Sequence, residues 1–445
     1  MKIPQRPPST GKLLHDVIGS KGVEFYADLM GRKIGPAPGG KYRHWETLRR
    51  SPTPDGLTPE EYWLAVKTAR LAMSRSVALE AISGDQFHFT LPDPVLEMLH
   101  RIDREASGQI QLLEPVTNPQ SRDRYIQSSL IEEAITSSQL EGAVSTREEA
   151  KEMIRTGRRP INKSERMILN NYQAMTLIGE LKDEELSPEL VVHLHRIITE
   201  GTVPEADSYF RKEGDGIGVY DNSNNLLLHM PPPAREIQRR IAAMCEFANE
   251  AQTGVFLHPV LKAVILHFWL AYDHPFVDGN GRTARALFYW LMLRQRFWLF
   301  EFISISSILK KAPAKYGKSF LYTETDDNDL TYFILSQLGV ICRALDQLQV
   351  YLARKTREIR ETAELLKQSS NLNHRQLALL GHALKHPGMR YTIRSHQTSH
   401  RVTYQTSRTD LLDLAEKSLL RKTKEGKTFV FMAPQDLGQR LRAAS

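Results

Sequence analysis

A chain of 445 residues is long enough for about two or three domains, each with its own core. Its 41% hydrophobic and 25% charged content excludes a disordered, fibrous or membrane-embedded polypeptide, and just two cysteines, Cys245 and Cys342, exclude a disulfide scaffold or a thiolate zinc centre. The net charge of +7 is unevenly placed: residues 371–445 hold 13 Lys/Arg against 5 Asp/Glu, a local balance of +8, so the preceding 370 sum to −1. A basic tail on a near-neutral body fits either a polyanion partner or a solvated basic face.

The opening "MKIPQRPPSTGK" has no apolar run of the signal-peptide kind. The longest apolar stretches, "AVILHFWLAY" (263–272) and "ALFYWLML" (286–293), are too short to span a bilayer and predict buried helices. Apolar placement of both cysteines fits a reducing compartment, so a cytoplasmic chain without a membrane partner is expected.

Taken in order, residues 1 to about 40 predict a poorly ordered lead with one short helix. At "LTPEEYWLAVKTARLAM", Thr58 caps, Pro59 suits the first turn and Glu61 completes a capping box, with Leu64, Ala65, Ala69 and Met73 as the apolar stripe. "FHFTLPD" (87–93) reads as a short strand or turn. "LSPELVVHLHRIITEG" is a second clear helix, started by Ser187 and Pro188 and ended by Gly201. Helical spacing recurs over 164–181, 234–252, 259–273, 282–297, 330–350 and 351–368. Within this mainly α region, "GDGIGVYDNSNNLLLHMPPP" (214–233) has the turn cluster and flanks of a β-hairpin.

The tail, 370–436, reads as a helix ended by Pro387, a brief strand and a second helix in "YTIRSHQTSH", a third helix with leucines at 411, 412 and 414, and a strand–turn–strand in "LRKTKEGKTFVFMAP". That is the layout of a winged helix-turn-helix. Its third helix offers Tyr404, Gln405, Thr406 and Arg408, and its wing Arg421, Lys422, Lys424 and Lys427, for DNA or for protein contacts.

The chemistry concentrates in "HPFVDGNGRTAR" (274–285). "GPAPGGKY" (35–42) and "APAKYGKS" (312–319) depart from the phosphate-loop pattern, no HExxH occurs, and His258 and His267 read as capping or packing residues. At 274–285 one helix delivers His274 and Pro275 ends it. Gly279, Asn280 and Gly281 allow a tight turn with inward N–H groups, and a second helix starts at once, adding its positive end to the same spot. Arg282 and Arg285, three apart, share one face of its first turn and suit phosphate oxygens. Asp278 is a hard oxygen ligand suited to Mg²⁺ between phosphates, and His274 is suited to take a proton from a hydroxyl.

This stretch resembles the Fic-domain signature HPFx[DE]GNGRxxR, with every defined position filled. The resemblance implies a Fic-type helical core over 116–365, a flap at about 214–232 that aligns a target segment by strand addition, an N-terminal helical region over 1–115 and the winged-helix module at 370–436. It implies transfer of AMP from ATP, with Mg²⁺ on Asp278, to a Tyr, Thr or Ser hydroxyl of a target protein, the chain itself being one candidate. His274 is then the base, Gly279, Asn280 and Gly281 the cradle for the α- and β-phosphates, and Arg282 and Arg285 the grip on the outer phosphates. "SSQLEG" (137–142) resembles the inhibitory motif [ST]xxxE[GN], filled by Ser137, Glu141 and Gly142 at the end of a helix over about 124–142. In that resemblance Glu141 reaches Arg285 and competes with the γ-phosphate. Two alternatives stay open: removal of AMP with Glu141 activating a water, and a DNA-binding regulator acting through its tail. A homodimer is also left open.

Overall fold

The computed structural model describes residues 1–54, 56–107, 119–204, 210–221, 224–249, 256–368, 372–386, 388–425 and 428–443. The chain is mainly helical and divides into two compact units, the second made chiefly of the residues from Gln349 onward. No helix among the described residues is long and apolar enough to cross a membrane.

The first unit is built around two consecutive helices, Pro259–Asp273 and Asn280–Arg294, that pack on each other. Every residue from Val260 to Leu270 and from Arg282 to Leu293 is buried. Helices apolar on all sides need cover on all sides. Lys163–Leu181, Pro188–Thr199, Ile237–Asn249 and Pro119–Leu140 are packed around the pair. His267, on the first central helix, is buried with Nε2 2.8 Å from the Tyr316 hydroxyl, and His258 caps that helix by accepting from Val260 N–H. Both are therefore packing or capping residues. Cys245 and Cys342 are buried free thiols.

The N-terminal lead differs from expectation. Thr10–Gly31 is a 22-residue helix, capped by Ser9 and kinked at Gly22, where φ is 82°. Its sparse apolar residues, Leu13, Val17 and Leu29, form one cluster with Trp45, Trp63 and Leu64, and this tertiary contact supplies what the local pattern lacks. On Pro59–Ala72 the predicted capping box is present, Thr58 Oγ1 accepting from Glu61 N–H and Glu61 Oε2 from Thr58 N–H. Met73, expected on the buried stripe, is 44% exposed, while Lys67 and Arg70 are buried. They go inside because they are paired: Lys67 Nζ lies 2.5 Å from Asp326 Oδ1, and Arg70 Nη1 donates to the Tyr332 hydroxyl at 2.7 Å.

"FHFTLPD" does contain a strand, Gln86–Phe89, paired antiparallel with Arg75–Glu80. The predicted hairpin is Val219–Asp221 with Leu226–His229, antiparallel, with a register shift between Val219 and Tyr220. Its turn residues 222 and 223 lie outside the described residues, as do Ser208 and Tyr209 before it. The two helices expected over 330–350 and 351–368 are one, Thr331–Gln368, since no Gly or Pro breaks the chain between them.

In the second unit the order is helix His374–Lys385, strand Arg390–Thr392, helices Ile393–His400 and Tyr404–Glu416, then strands Arg421–Glu425 and Thr428–Met432. Thr428–Met432 is the middle strand of three, antiparallel to both neighbours. Leu411 and Leu414 join Leu379, Leu380 and Phe431 in its core, and Leu412 is partly buried against it. Pro387 and Lys427 lie outside the described residues.

Candidate functional site

The loop 274–279 links the two central helices, and its geometry is over-determined. His274 is a non-glycine residue in the left-handed region, φ 47° and ψ 54°, closing the first helix with its N–H on Leu270 O. Such a conformation costs about 1–2 kcal/mol and persists only where neighbours hold it. Arg211 does so: its Nε donates to His274 O at 2.8 Å, and its backbone N–H to Pro275 O at 2.9 Å. Beneath the loop, Phe276 is fully buried with its ring 3.6 Å from that of His195 and nearly parallel to it. His195 Nε2 lies 2.8 Å from Asp278 O, which it meets as donor. Gly279 has φ 85°, and a β-carbon there would lie 2.7 Å from Thr199 Cγ2, so only glycine fits the path.

Asn280 plays a more structural part than its place in the cradle suggests. Its Oδ1 accepts from Phe276 N–H at 2.9 Å and its Nδ2 donates to Phe276 O at 2.8 Å, clasping the loop across four residues. Asp278 Oδ1 accepts from Gly279 N–H at 2.5 Å and faces Arg282 Nη2 at 3.3 Å, while the side chain stays 39% exposed.

The spacing of Arg282 and Arg285 predicts one shared face, but their tips diverge. Arg282 is wholly buried, donating to Ile198 O at 3.0 Å and meeting Asp278. Arg285 turns to the C-terminal end of Pro119–Leu140. Its Nε donates to Ser137 Oγ at 2.9 Å, and its Nη2 donates to Ser137 O at 3.0 Å and Glu141 Oε1 at 2.8 Å. Burial works against the Arg285 charge, but the Glu141 carboxylate, with Tyr316 and Glu133, outweighs it and the guanidinium's pKa is raised. The helix presents Glu141 there because Gly142, at φ 90°, turns the chain sharply, with Ala143 N–H returning to Ser138 O. A side chain at Gly281 would overlap the Glu141 carboxylate, so the acid sits against the N-terminal turn of Asn280–Arg294.

Burial drives the His274 imidazole down to about 4, with Arg211 and His229 adding to the fall and Glu141 opposing it. Nδ1 lies 3.3 Å from Ala271 O. With the proton on Nδ1, the lone pair is left on Nε2 of a neutral ring.

All ten sequence-derived residues, Ser137, Glu141, Gly142, His274, Asp278, Gly279, Asn280, Gly281, Arg282 and Arg285, thus lie on the loop, on the first turns of the helix that follows it, or at the helix end packed against them. Sequence reasoning missed Arg211 and His195. The first stood in "SYFRKEG" and the second in "VVHLHRII", where nothing local marks either as a loop support.

Residues 185–292 match the Fic/DOC family. This segment is therefore a Fic domain, carrying the whole 274–285 loop and the hairpin. Over 127 residues the chain is 31% identical to a protein adenylyltransferase Fic of Nematostella vectensis, covering 28% of this chain and 27% of that protein. Over 110 residues it is 30% identical to the protein of the same name from Drosophila grimshawi, covering 25% and 21%. The chain thus spans about a quarter of the length of the curated relatives it matches. Its fold is similar to the crystal structure of a Fic family protein from Desulfovibrio desulfuricans G20, with a TM-score of 0.52 at 17% identity over 78% of this chain and 98% of that one.

Proposed function

We propose that this chain is an ATP-dependent protein adenylyltransferase restrained by its own Glu141. The observation that carries the reading is the 2.8 Å pairing of Glu141 with Arg285 beside the glycine turn that follows His274. Neutral His274 takes the proton of a target Tyr, Thr or Ser hydroxyl through its free nitrogen. The hydroxyl oxygen bonds to the α-phosphorus, the bond from that phosphorus to the bridging oxygen breaks, and pyrophosphate leaves. The turn and the helix N-terminus offer N–H groups to the phosphates, and Arg285 is the grip that Glu141 withholds.

Asp278 fits a Mg²⁺ site of the kind that relies on substrate phosphates: it is a single, part-exposed carboxylate beside the anion turn. Among the described residues no cluster of three or more His, Cys, Asp or Glu side chains stands ready to hold a metal alone. Bound there, Mg²⁺ would neutralise phosphate charge. The hairpin Val219–Asp221/Leu226–His229 is the flap that aligns the target.

The test is mass spectrometry of the Glu141→Gly protein incubated with ATP and Mg²⁺, alone and with lysate. Addition of AMP to a hydroxyl residue, absent from the His274→Ala/Glu141→Gly control, is expected; no adduct on any protein would remove the reading. Release of AMP from a pre-modified protein without ATP would favour the reverse direction, with Glu141 activating water.

A second reading concerns the tail. The helix and strand order of residues 374–432, with the sheet's middle strand last in sequence, supports a winged-helix module. Tyr404, Gln405, Arg408, Arg421, Lys422 and Lys424 are exposed, as direct DNA contact requires.

A further inference from the structure

The flap is fastened at both ends to the last turn of the helix that delivers His274. Ahead of its first strand, Arg211 donates from Nη2 to Pro232 O at 2.5 Å and to Asp273 O at 3.3 Å, besides its bond to His274 O. At the end of its second strand, buried His229 sets Nε2 2.7 Å from Tyr272 O and Nδ1 2.8 Å from Glu324 Oε2.

Those two distances fix a proton count. A carbonyl only accepts, so Nε2 must carry a hydrogen. A neutral ring then meets Glu324 with a bare lone pair, and two lone pairs at 2.8 Å repel. The contact is made only when the histidine and the carboxylate hold one additional proton between them, as imidazolium and carboxylate. Glu324 comes from Pro313–Thr325, while from the central helix the Tyr272 ring packs on His229 and Asp273 and His274 lie within its electrostatic reach; Arg211, from the segment before the flap, is bonded to the Asp273 carbonyl. Asp273 is itself paired with Arg240 at 3.1 Å. Burial opposes the charge on His229, and Glu324, the Tyr272 carbonyl and Asp273 together outweigh it, so its pKa is raised.

We propose that His229 and Glu324 form a positioning ion pair that locks the flap in register with the helix end bearing the base, through a bond to Tyr272 two residues before His274. The inference rests on the adenylyltransferase reading for its purpose, but its structural content stands apart. With the pair protonated, the flap holds a target hydroxyl at a fixed place relative to His274. As pH rises through the raised pKa of His229, the proton leaves and the register loosens.

The 445-residue chain with isotope-labelled histidine tests this by NMR, the His229 ring signals being assigned by their loss in His229→Leu. Both ring nitrogens of His229 are expected to be protonated at pH 7 and to titrate above the ordinary histidine range. In Glu324→Gln, whose amide donates to a neutral ring, the titration moves below its wild-type position. A neutral His229 at pH 7 in the unaltered chain overturns the proposal. Hydrogen exchange reads the register: protection of residues 219–229 falls about tenfold in His229→Leu and holds within about twofold in Glu324→Gln at pH 7. Equal protection in all three proteins overturns it too. In the Glu141→Gly background with α-labelled ATP and lysate protein, His229→Leu loses about tenfold in labelling with ATP affinity unchanged, and Glu324→Gln keeps labelling at alkaline pH where its parent declines. Should the Glu141→Gly parent label nothing, the adenylyltransferase reading falls, and the titration and exchange results still decide the clamp.

Discussion

Removing the Glu141 carboxylate tests the restraint directly, and its size follows from the geometry. The Arg285 side chain is 2% exposed and that of Glu141 29%, with 2.8 Å between the bonded atoms. Charge centres about 4 Å apart at an effective dielectric near 20 attract by about 4 kcal/mol. Partial exposure of the acid, and the two bonds that Arg285 keeps to Ser137, reduce what a nucleotide must overcome to about 2 kcal/mol. That energy is about 30-fold in an equilibrium constant. Glu141→Gly is therefore expected to raise productive ATP occupancy and labelling by α-labelled ATP about 30-fold at subsaturating nucleotide. Glu141→Gln, which keeps the shape and loses the charge, should recover most of that gain. Titration calorimetry gives the affinity and autoradiography the transfer. If both variants bound and transferred no better than the unaltered chain, the acid would not be the restraint, whatever its distance from Arg285.

His274→Ala should abolish labelling while leaving ATP affinity within about twofold, since the ring serves the hydroxyl and not the phosphates; calorimetry beside the labelling assay separates the two. On the proposed reaction the base is a neutral imidazole, and burial holds its pKa at about 4, so kcat/KM of the Glu141→Gly protein should stay level down to about pH 5 and fall only as the pH nears 4. An acid limb near pH 6.5 would mean that the ring is solvated. Gly279→Ala combines a forced φ of 85° with a β-carbon 2.7 Å from Thr199 Cγ2, and should cost about 1–3 kcal/mol, read as a Tm lower by a few degrees in thermal scanning. DNA binding by the tail, if phosphates carry it, should weaken at least tenfold between about 50 and 200 mM salt in a gel-shift titration; binding indifferent to salt, or none, removes DNA as a partner.

The arrangement of the loop was legible in the sequence because it is local. His274 at a helix end, the glycine turn and the arginines of the next helix lie within twelve residues, and chain geometry alone brings them together. The two central helices, the helices Pro59–Ala72, Lys163–Leu181, Pro188–Thr199 and Ile237–Asn249, the hairpin and the order of elements in the tail were legible too, through apolar spacing, caps and turn residues. Tertiary structure decided what depends on partners far away in sequence. Glu141 meets Arg285 across 144 positions, and His229 meets Glu324 across 95. Lys67 and Arg70 look like surface residues until Asp326 and Tyr332 take them inside, and the Thr10–Gly31 helix looks like a loose lead until Trp45 and Trp63 cover it. Arg211 and Asn280, too, acquire their parts only once the loop is folded, one holding His274 and the other Phe276. Periodicity records which face of an element is buried; it carries no record of which distant charge makes burial tolerable. That pairing exists only after the helices have packed.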